Sequence, residues 1–491
     1  MGAYTPPAPM LFPQFEENKP ITQWRWALAA IFCVAVCGCS TTPSSGRVDT
    51  GVAVPAAWSG SLPVPGATAP LAQWWLQFGD PRMAELIAQA LRSNTRVQTA
   101  QASLRQARAL RDVAAAGLLP SVGSSASAQR STANRSTGNR FQLGLDAQWE
   151  LDFFGLNRSA LDASSATARA SAASLGDVQV SIAAEVAIHY ILLRSTQARW
   201  RIARDNLDSQ QETLQITQWR QQAGLVSALE AEQALAAAEQ TRALLPALQT
   251  TIGQTGHALA VLTGQPPAAL SALWATPGPV PQAAGALTLA IPAETLRQRA
   301  DVRAAEHQVV AAVARVAQAE AARAPRFTLG GSLGLGAATV GALGSGAAVV
   351  GALLGSVALP LVDGGAARAQ VRVQQAGQAQ AEVAYRATVL AALQEVEDAL
   401  AALAGDRDRL LRLQSAAVAA GNADLLARQR YSSGLVDFQT VLQTQRTQLA
   451  TQDSVASASA DLGADHVRLY KALGGGWLPT TPDTPNETLF P

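Results

Sequence analysis

Cysteine is confined to three positions, Cys33, Cys37 and Cys39, inside one apolar N-terminal segment. Nothing after Ser40 carries a thiol, so neither a disulfide framework nor a cysteine metal site can hold the rest of the chain together. Histidine is almost as scarce. His189, His257, His307 and His466 stand far apart without HExxH spacing, which leaves no zinc motif. Net charge is only +1, so the balance does not point to nucleic acid or another polyanion. Aromatics make up 5% of the chain, against a strong bias to Ala, Gln, Leu, Ser and Thr, which suits long helices with small-residue seams better than one compact core. No GxSxG element and no paired catalytic carboxylates stand out, and no enzyme activity is expected. The glycine-rich run GGSLGLGAATVGALGSG lacks GxGxxG and GKS/T elements, which argues against a phosphate loop.

What is present begins with a leader. Trp26–Val36 is apolar, follows Lys19 and Arg25, and is too short for a permanent membrane helix; it reads as a signal h-region. Val36-Cys37-Gly38-Cys39 resembles a bacterial lipobox. Residues 1–38 are therefore expected to be a lipoprotein signal peptide, with Cys39 as the lipid anchor and Met10 as an alternative start. Residues 39–70 are rich in Ser, Thr, Pro, Gly and Ala and read as a tether.

The most informative stretch is Phe141–Phe153, FQLGLDAQWELDF. Phe141, Leu143, Leu145, Trp149, Leu151 and Phe153 alternate with Gln142, Asp146, Gln148, Glu150 and Asp152. One face of such a strand is apolar and the other acidic, as a membrane barrel wall requires with lipid outside and water inside. A long surface strand of a soluble sandwich would show the same alternation. Asp146, Glu150 and Asp152 would line the water-filled side. A weaker strand over 118–131 and a loop over 131–140 complete a hairpin, preceded by one helix from Asp80-Pro81 to about Gly117.

From Asn157 to Gln222 there is no proline, and Gly176 is the only glycine. A continuous helix of that span is roughly 100 Å long. Val186, Leu193, Trp200, Leu207 and Leu214 recur every seven residues as a coiled-coil seam, beside the more polar Ile182, His189, Thr196, Ala203 and Gln210. A turn at 224–227 returns the chain in a second helix to about Gly264.

The plan then repeats. Val97 and Pro120 align with Val302 and Pro325, and past the hairpin Glu185-Val186 aligns with Glu395-Val396 and Gly224-Leu225-Val226 with Gly434-Leu435-Val436. The expected organisation is a first repeat over 71–264 with its hairpin at 118–153, and a linker over 265–292. A second repeat follows over 293–474, with a hairpin at 325–361 and a tip at 434–437, then a tail over 475–491. Two copies supply four strands, too few to close a barrel, so several chains must share one. Tyr190, Tyr385 and Tyr470 are expected to pack, and His189 to sit in the helix seam.

Trp74-Trp75, Phe78-Gly79-Asp80-Pro81, Trp149-Glu150-Leu151-Asp152, Ala223-Gly224-Leu225-Val226, Leu262-Thr263-Gly264-Gln265-Pro266, Arg299-Ala300-Asp301-Val302-Arg303 and Arg430-Tyr431 come in order along the chain. In these motifs the sequence resembles the TolC-like outer-membrane factors, in particular the lipoprotein branch serving resistance-nodulation-division efflux systems. The resemblance implies an α+β homotrimer: a twelve-stranded outer-membrane barrel, four strands per protomer, continued by a long α-helical coiled-coil barrel across the periplasm. It implies a passive exit duct for small molecules, working with a periplasmic adaptor protein and an inner-membrane pump, with no cofactor or metal beyond the lipid on Cys39. Gly224, Leu225 and Val226, with Gly434, Leu435 and Val436, would be the adaptor-docking tips. Arg430 and Tyr431 match a gate pair, while Gln439 and Gln443 stand where the family carries a leucine and a carboxylate, so a hydrogen-bonded gate is expected. The alternatives are a periplasmic adaptor lipoprotein, which needs only one helical hairpin, and a duct dedicated to one metabolite or metal.

Overall fold

Residues 52–59, 71–133, 136–283 and 292–477 are described in a computed structural model, all within the unit Asp49–Pro491. The segment expected to be a signal peptide, Cys39, most of the expected tether, residues 284–291 of the expected linker and the tail from residue 478 lie outside them.

The helices are α1 (Pro81–Ser93), α2 (Thr95–Ala116), α3 (Leu156–Gln222), α4 (Ala228–Leu262), α5 (Ser271–Ala275), α6 (Pro292–Gln298), α7 (Ala300–Ala321), α8 (Ala366–Ser432) and α9 (Phe438–Ala472). The strands are β1 (Ser121–Ala133), β2 (Ser136–Leu151), β3 (Arg326–Ala337) and β4 (Ala348–Ala358). Both α3 and α8 run 67 residues, about 100 Å at 1.5 Å each, and both α4 and α9 run 35.

The single helix expected from Asp80 to Gly117 is two. Asn94 takes an extended φ/ψ of −65°/133°, and its side chain accepts from the amides of Arg96 and Val97, so it ends α1 and caps α2. Asp80 caps α1 through the amides of Arg82 and Met83, ahead of Pro81 in the first turn. The hairpin loop is shorter than expected, because pairing continues through Thr132 and Thr137.

The four strands form one antiparallel sheet in the order β1-β2-β3-β4, so β1 and β4 each have one unpaired edge. The register sets Leu143 against Leu335, Leu145 against Leu333 and Trp149 against Leu329, which keeps the apolar residues on one face. The strand β4 does not alternate: Val350 and Leu354 stand on the polar face opposite Gly334 and Gly330, where no side chain competes for the space.

Below the sheet, neighbouring helices pack in the order α2-α3-α7-α8, and farther down in the order α4-α3-α9-α8. The seam expected along α3 is buried at Val186, Leu193 and Leu207, and its companion is buried still more evenly at Ile182, Thr196, Ala203 and Gln210. Such small and amide side chains let the helices approach closely. They are fixed by cross-helix bonds rather than bulk: Asn206 Nδ2 to Gln452 Oε1 at 2.8 Å and the Arg199–Asp453 pair at 2.7 Å.

The largest core lies midway along the long helices, where Trp74, Trp75, Phe78, Met83 and Ile87 meet Tyr190 and Tyr470. Trp74 stacks on Tyr470 with ring centroids 5.3 Å apart. Tyr190 donates to Asp80 and receives from Arg194, whose Nη1 donates to the Thr276 carbonyl at 2.7 Å. The segment expected to be a linker is thus tied to α3. Burial pushes the Tyr190 hydroxyl up to about 12, with Arg194 opposing and Asp80 reinforcing. Gly176 now has a reason to be glycine, since a Cβ there would lie 2.7 Å from Cε3 of Trp477.

Candidate functional site

Two places carry the features expected of a duct: the ends of the helical hairpins and the face of the sheet. At the hairpin ends, α3 and α8 stop in the same turn. Gly224 has φ +73° and Gly434 φ +72°, a left-handed conformation that side-chain-bearing residues rarely adopt. In each turn the amide of the following leucine reaches back to an arginine carbonyl, Leu225 to Arg220 at 2.8 Å and Leu435 to Arg430 at 2.9 Å. These bonds satisfy the last helical carbonyls as a Schellman motif does. Asp437 then caps α9 through the Thr440 amide, whereas Ser227 makes no side-chain cap bond to α4.

The turns therefore project their apolar residues by backbone geometry. Leu225 is 71% exposed and Leu435 74%, while Val226 and Val436 are half-buried. Val436 packs on a small core of Ala234, Ala237, Ala427, Tyr431, Phe438, Val441 and Leu442. That core backs the second turn, and Val226 of the first is not part of it.

The expected gate residues do not form one cluster. Arg430 is exposed, whereas Tyr431 is 8% exposed and packs on Phe438 with ring centroids 5.5 Å apart. The residue facing Tyr431 is Arg220, a partner no sequence pattern pointed to: its guanidinium carbon sits 4.7 Å from the Tyr431 ring centre. Gln443 is exposed. Gln439 Nε2 donates to Gln233 Oε1 at 2.7 Å, an uncharged tie between α9 and α4. Two turns before Tyr431, Asp424 is buried within α8 and pairs with Arg428 at 2.9 Å, and Arg428 also donates to Ser209 of α3.

On the sheet, Leu143, Leu145, Trp149, Leu329 and Leu333 are exposed on one face. Trp149 donates its indole N–H to the Leu118 carbonyl, and Phe153 meets Phe327 edge to face at 5.3 Å, so aromatics gather where the sheet meets the helices. Aromatic girdles mark the water boundary of membrane barrels. The acidic face is shorter than expected. Asp146 and Glu150 are on β2, but Asp152 lies past its end and accepts from the Arg158 amide at 2.7 Å, which makes it a cap for α3. Among the described residues no group of three or more His, Cys, Asp or Glu side chains is arranged to hold a metal.

The family model described as outer membrane efflux protein matches residues 86–265 and 291–475. The pyoverdine export outer membrane protein OpmQ of Pseudomonas putida is 34% identical over 472 residues, covering 91% of this chain and 97% of that protein. Among solved structures, the outer-membrane channel OprN superposes with a TM-score of 0.81 at 35% identity, covering 87% of this chain and 98% of that one. The open state of the Neisseria gonorrhoeae MtrE outer membrane channel gives 0.79 at 27% identity, covering 89% and 98%.

Proposed function

Because the chain belongs to the outer membrane efflux protein family, we propose that it is one third of a passive exit duct whose wall two further copies complete. The protein is an outer-membrane channel of an efflux system, the exit through which small molecules leave the pump machinery and cross the periplasm and outer membrane.

One observation supports the shared wall. The sheet ends in unpaired strands β1 and β4, and the helical wall ends in α2 or α4 on one flank and α8 on the other. Open strand edges are not tolerated in lipid, so these flanks must meet copies of each other. Four strands per chain exclude a barrel of one. Three copies, giving twelve strands and two repeats per copy, is the number the family resemblance supplies. The apolar sheet face would meet lipid, and Asp146 and Glu150 would face water.

Leu225-Val226 and Leu435-Val436 would seat in a periplasmic adaptor that couples the duct to an inner-membrane pump. Closure at the tips would rest on Gln439–Gln233 and Arg220–Tyr431, and opening on a movement of the hairpins driven by partner contacts. Cys39 would hold the covalent lipid; palmitate label retained by Cys39→Ala would sink that assignment. The deciding experiment is the mass of the unheated particle purified in detergent, where any count but three chains overturns the architecture.

A further inference from the structure

A cavity of about 600 Å³ lies where the long helices meet the sheet, lined by α2, α3, α7, the start of α8 and the first residue of β3. Arg315 and Arg326 line it with Gln318 and Thr167, and Leu110 and Leu156 give it an apolar side. No Asp or Glu is among its lining residues. Arg315 Nη2 donates to Thr167 Oγ1 at 3.2 Å, and among the described residues neither arginine has a carboxylate partner. Arg326 shares its side of β3 with Thr328, which is paired with Glu150 across β2, so it stands on the polar face of the sheet.

Packing of the wall does not require these charges. At the offset that aligns Pro120 with Pro325, Arg315, Gln318 and Arg326 correspond to Leu110, Val113 and Ser121. At the offset that aligns Gly224 with Gly434, Thr167 corresponds to Gly377. None of these four counterparts is charged, and one of them, Leu110, lines this same cavity, so the repeated plan does not itself call for an arginine at 315 or 326.

We propose that this cavity is a transit site for amphipathic organic anions, small molecules with a carboxylate or sulfonate on an apolar body. Guanidinium groups stay charged at any physiological pH, and their planar fork matches a carboxylate or sulfonate. Leu110 and Leu156 cover the apolar body while the arginines hold the charge. The site must also let go, so binding is modest, as conduction requires. The assignment rests on the polar strand face being the inside of the duct.

Equilibrium dialysis of naphthalene sulfonate against the full-length channel in a neutral detergent, with empty micelles as blank, tests this. Arg315→Gln and Arg326→Gln should each raise Kd at least about tenfold, the loss of one charge-assisted contact. Arg412→Gln, which removes an exposed guanidinium of α8 outside the lining, should stay within about twofold. Naphthylmethyl ammonium should not compete. Unchanged binding in both arginine variants, or equal competition by the cation, would overturn the site. So would displacement by phosphatidylglycerol at concentrations where acetate and benzoate have no effect, which would make it a lipid headgroup site. Particle mass on the same samples reports separately on the assembly: a wrong mass with intact, arginine-dependent binding sinks the three-chain reading and leaves the site.

Discussion

Asn94 and Arg299 are counterparts: each stands just ahead of a 22-residue helix and donates at 2.8 Å to the last carbonyl of a 35-residue one, Leu262 for Asn94 and Ala472 for Arg299. Their chemistry differs. Asn94 also caps its helix, whereas Arg299 is 8% exposed in its side chain and bonds Asp301 and Glu395. Burial alone would pull the Arg299 guanidinium down, but the two carboxylates outweigh it and the net shift is upward.

Asn94→Ala should cost about 1–2 kcal/mol through the lost cap and carbonyl bond. Arg299→Ala should cost more, about 2–4 kcal/mol, held below the figure for a fully buried pair because water reaches Asp301 and Glu395. Denaturant midpoints of the two variants check the order; equal losses would show that the carboxylates contribute nothing.

Gly176→Ala should displace the Trp477 ring, whose indole donates to the Gln298 carbonyl at 3.2 Å. A cost of about 1–3 kcal/mol follows from overpacking, and the double variant with Trp477→Ala should lose less than the sum. Additive losses would show that the two do not meet.

How much of this was legible beforehand follows the local or non-local origin of each feature. The long helices, their turns and the strand Phe141–Phe153 announce themselves through periodicity and through glycine at positive φ, both local properties. The break at Asn94 was hidden because asparagine reads as a cap only when the chain bends there. Asp152 fitted the period-two pattern and so passed for a strand residue, although its carboxylate turns back to cap α3. Arg220 was out of reach, since nothing in the sequence around it says that Tyr431 of another helix lies beneath it.

Leu225→Glu and Leu435→Glu should each reduce export while leaving the particle mass unchanged, because the tip core under them does not include either side chain. Drug tolerance of cells complemented with each variant measures this. Wild-type tolerance in both would remove the docking role.

Asp424, 1% exposed, is held above the ordinary carboxyl range by burial, with Arg428 opposing. The folded chain therefore keeps that proton to a higher pH than the unfolded chain, whose value stays near 3.8. Stability gained from this group appears as pH falls through the folded value and is lost as pH rises through it. Asp424→Asn, neutral throughout, should flatten that part of the profile. Melting between about pH 4 and pH 8 reads it, and identical slopes for both proteins would exclude the effect.

Gln439→Ala and Gln233→Ala should raise the open fraction of single channels in planar bilayers. The wild-type open fraction should not follow pH through the amide pair, because neither amide titrates. A gate that Gln439→Ala leaves fully shut would place closure elsewhere.

Equal helix lengths in the two halves have an outcome for stoichiometry. Since α3 and α8 have equal lengths and each is followed by a Gly-Leu-Val turn, a neighbour that recognises only that turn finds two interchangeable landing points on every subunit. A companion protein using them should bind at two molecules per subunit, unless it also distinguishes the Ser227 end from the Asp437 end.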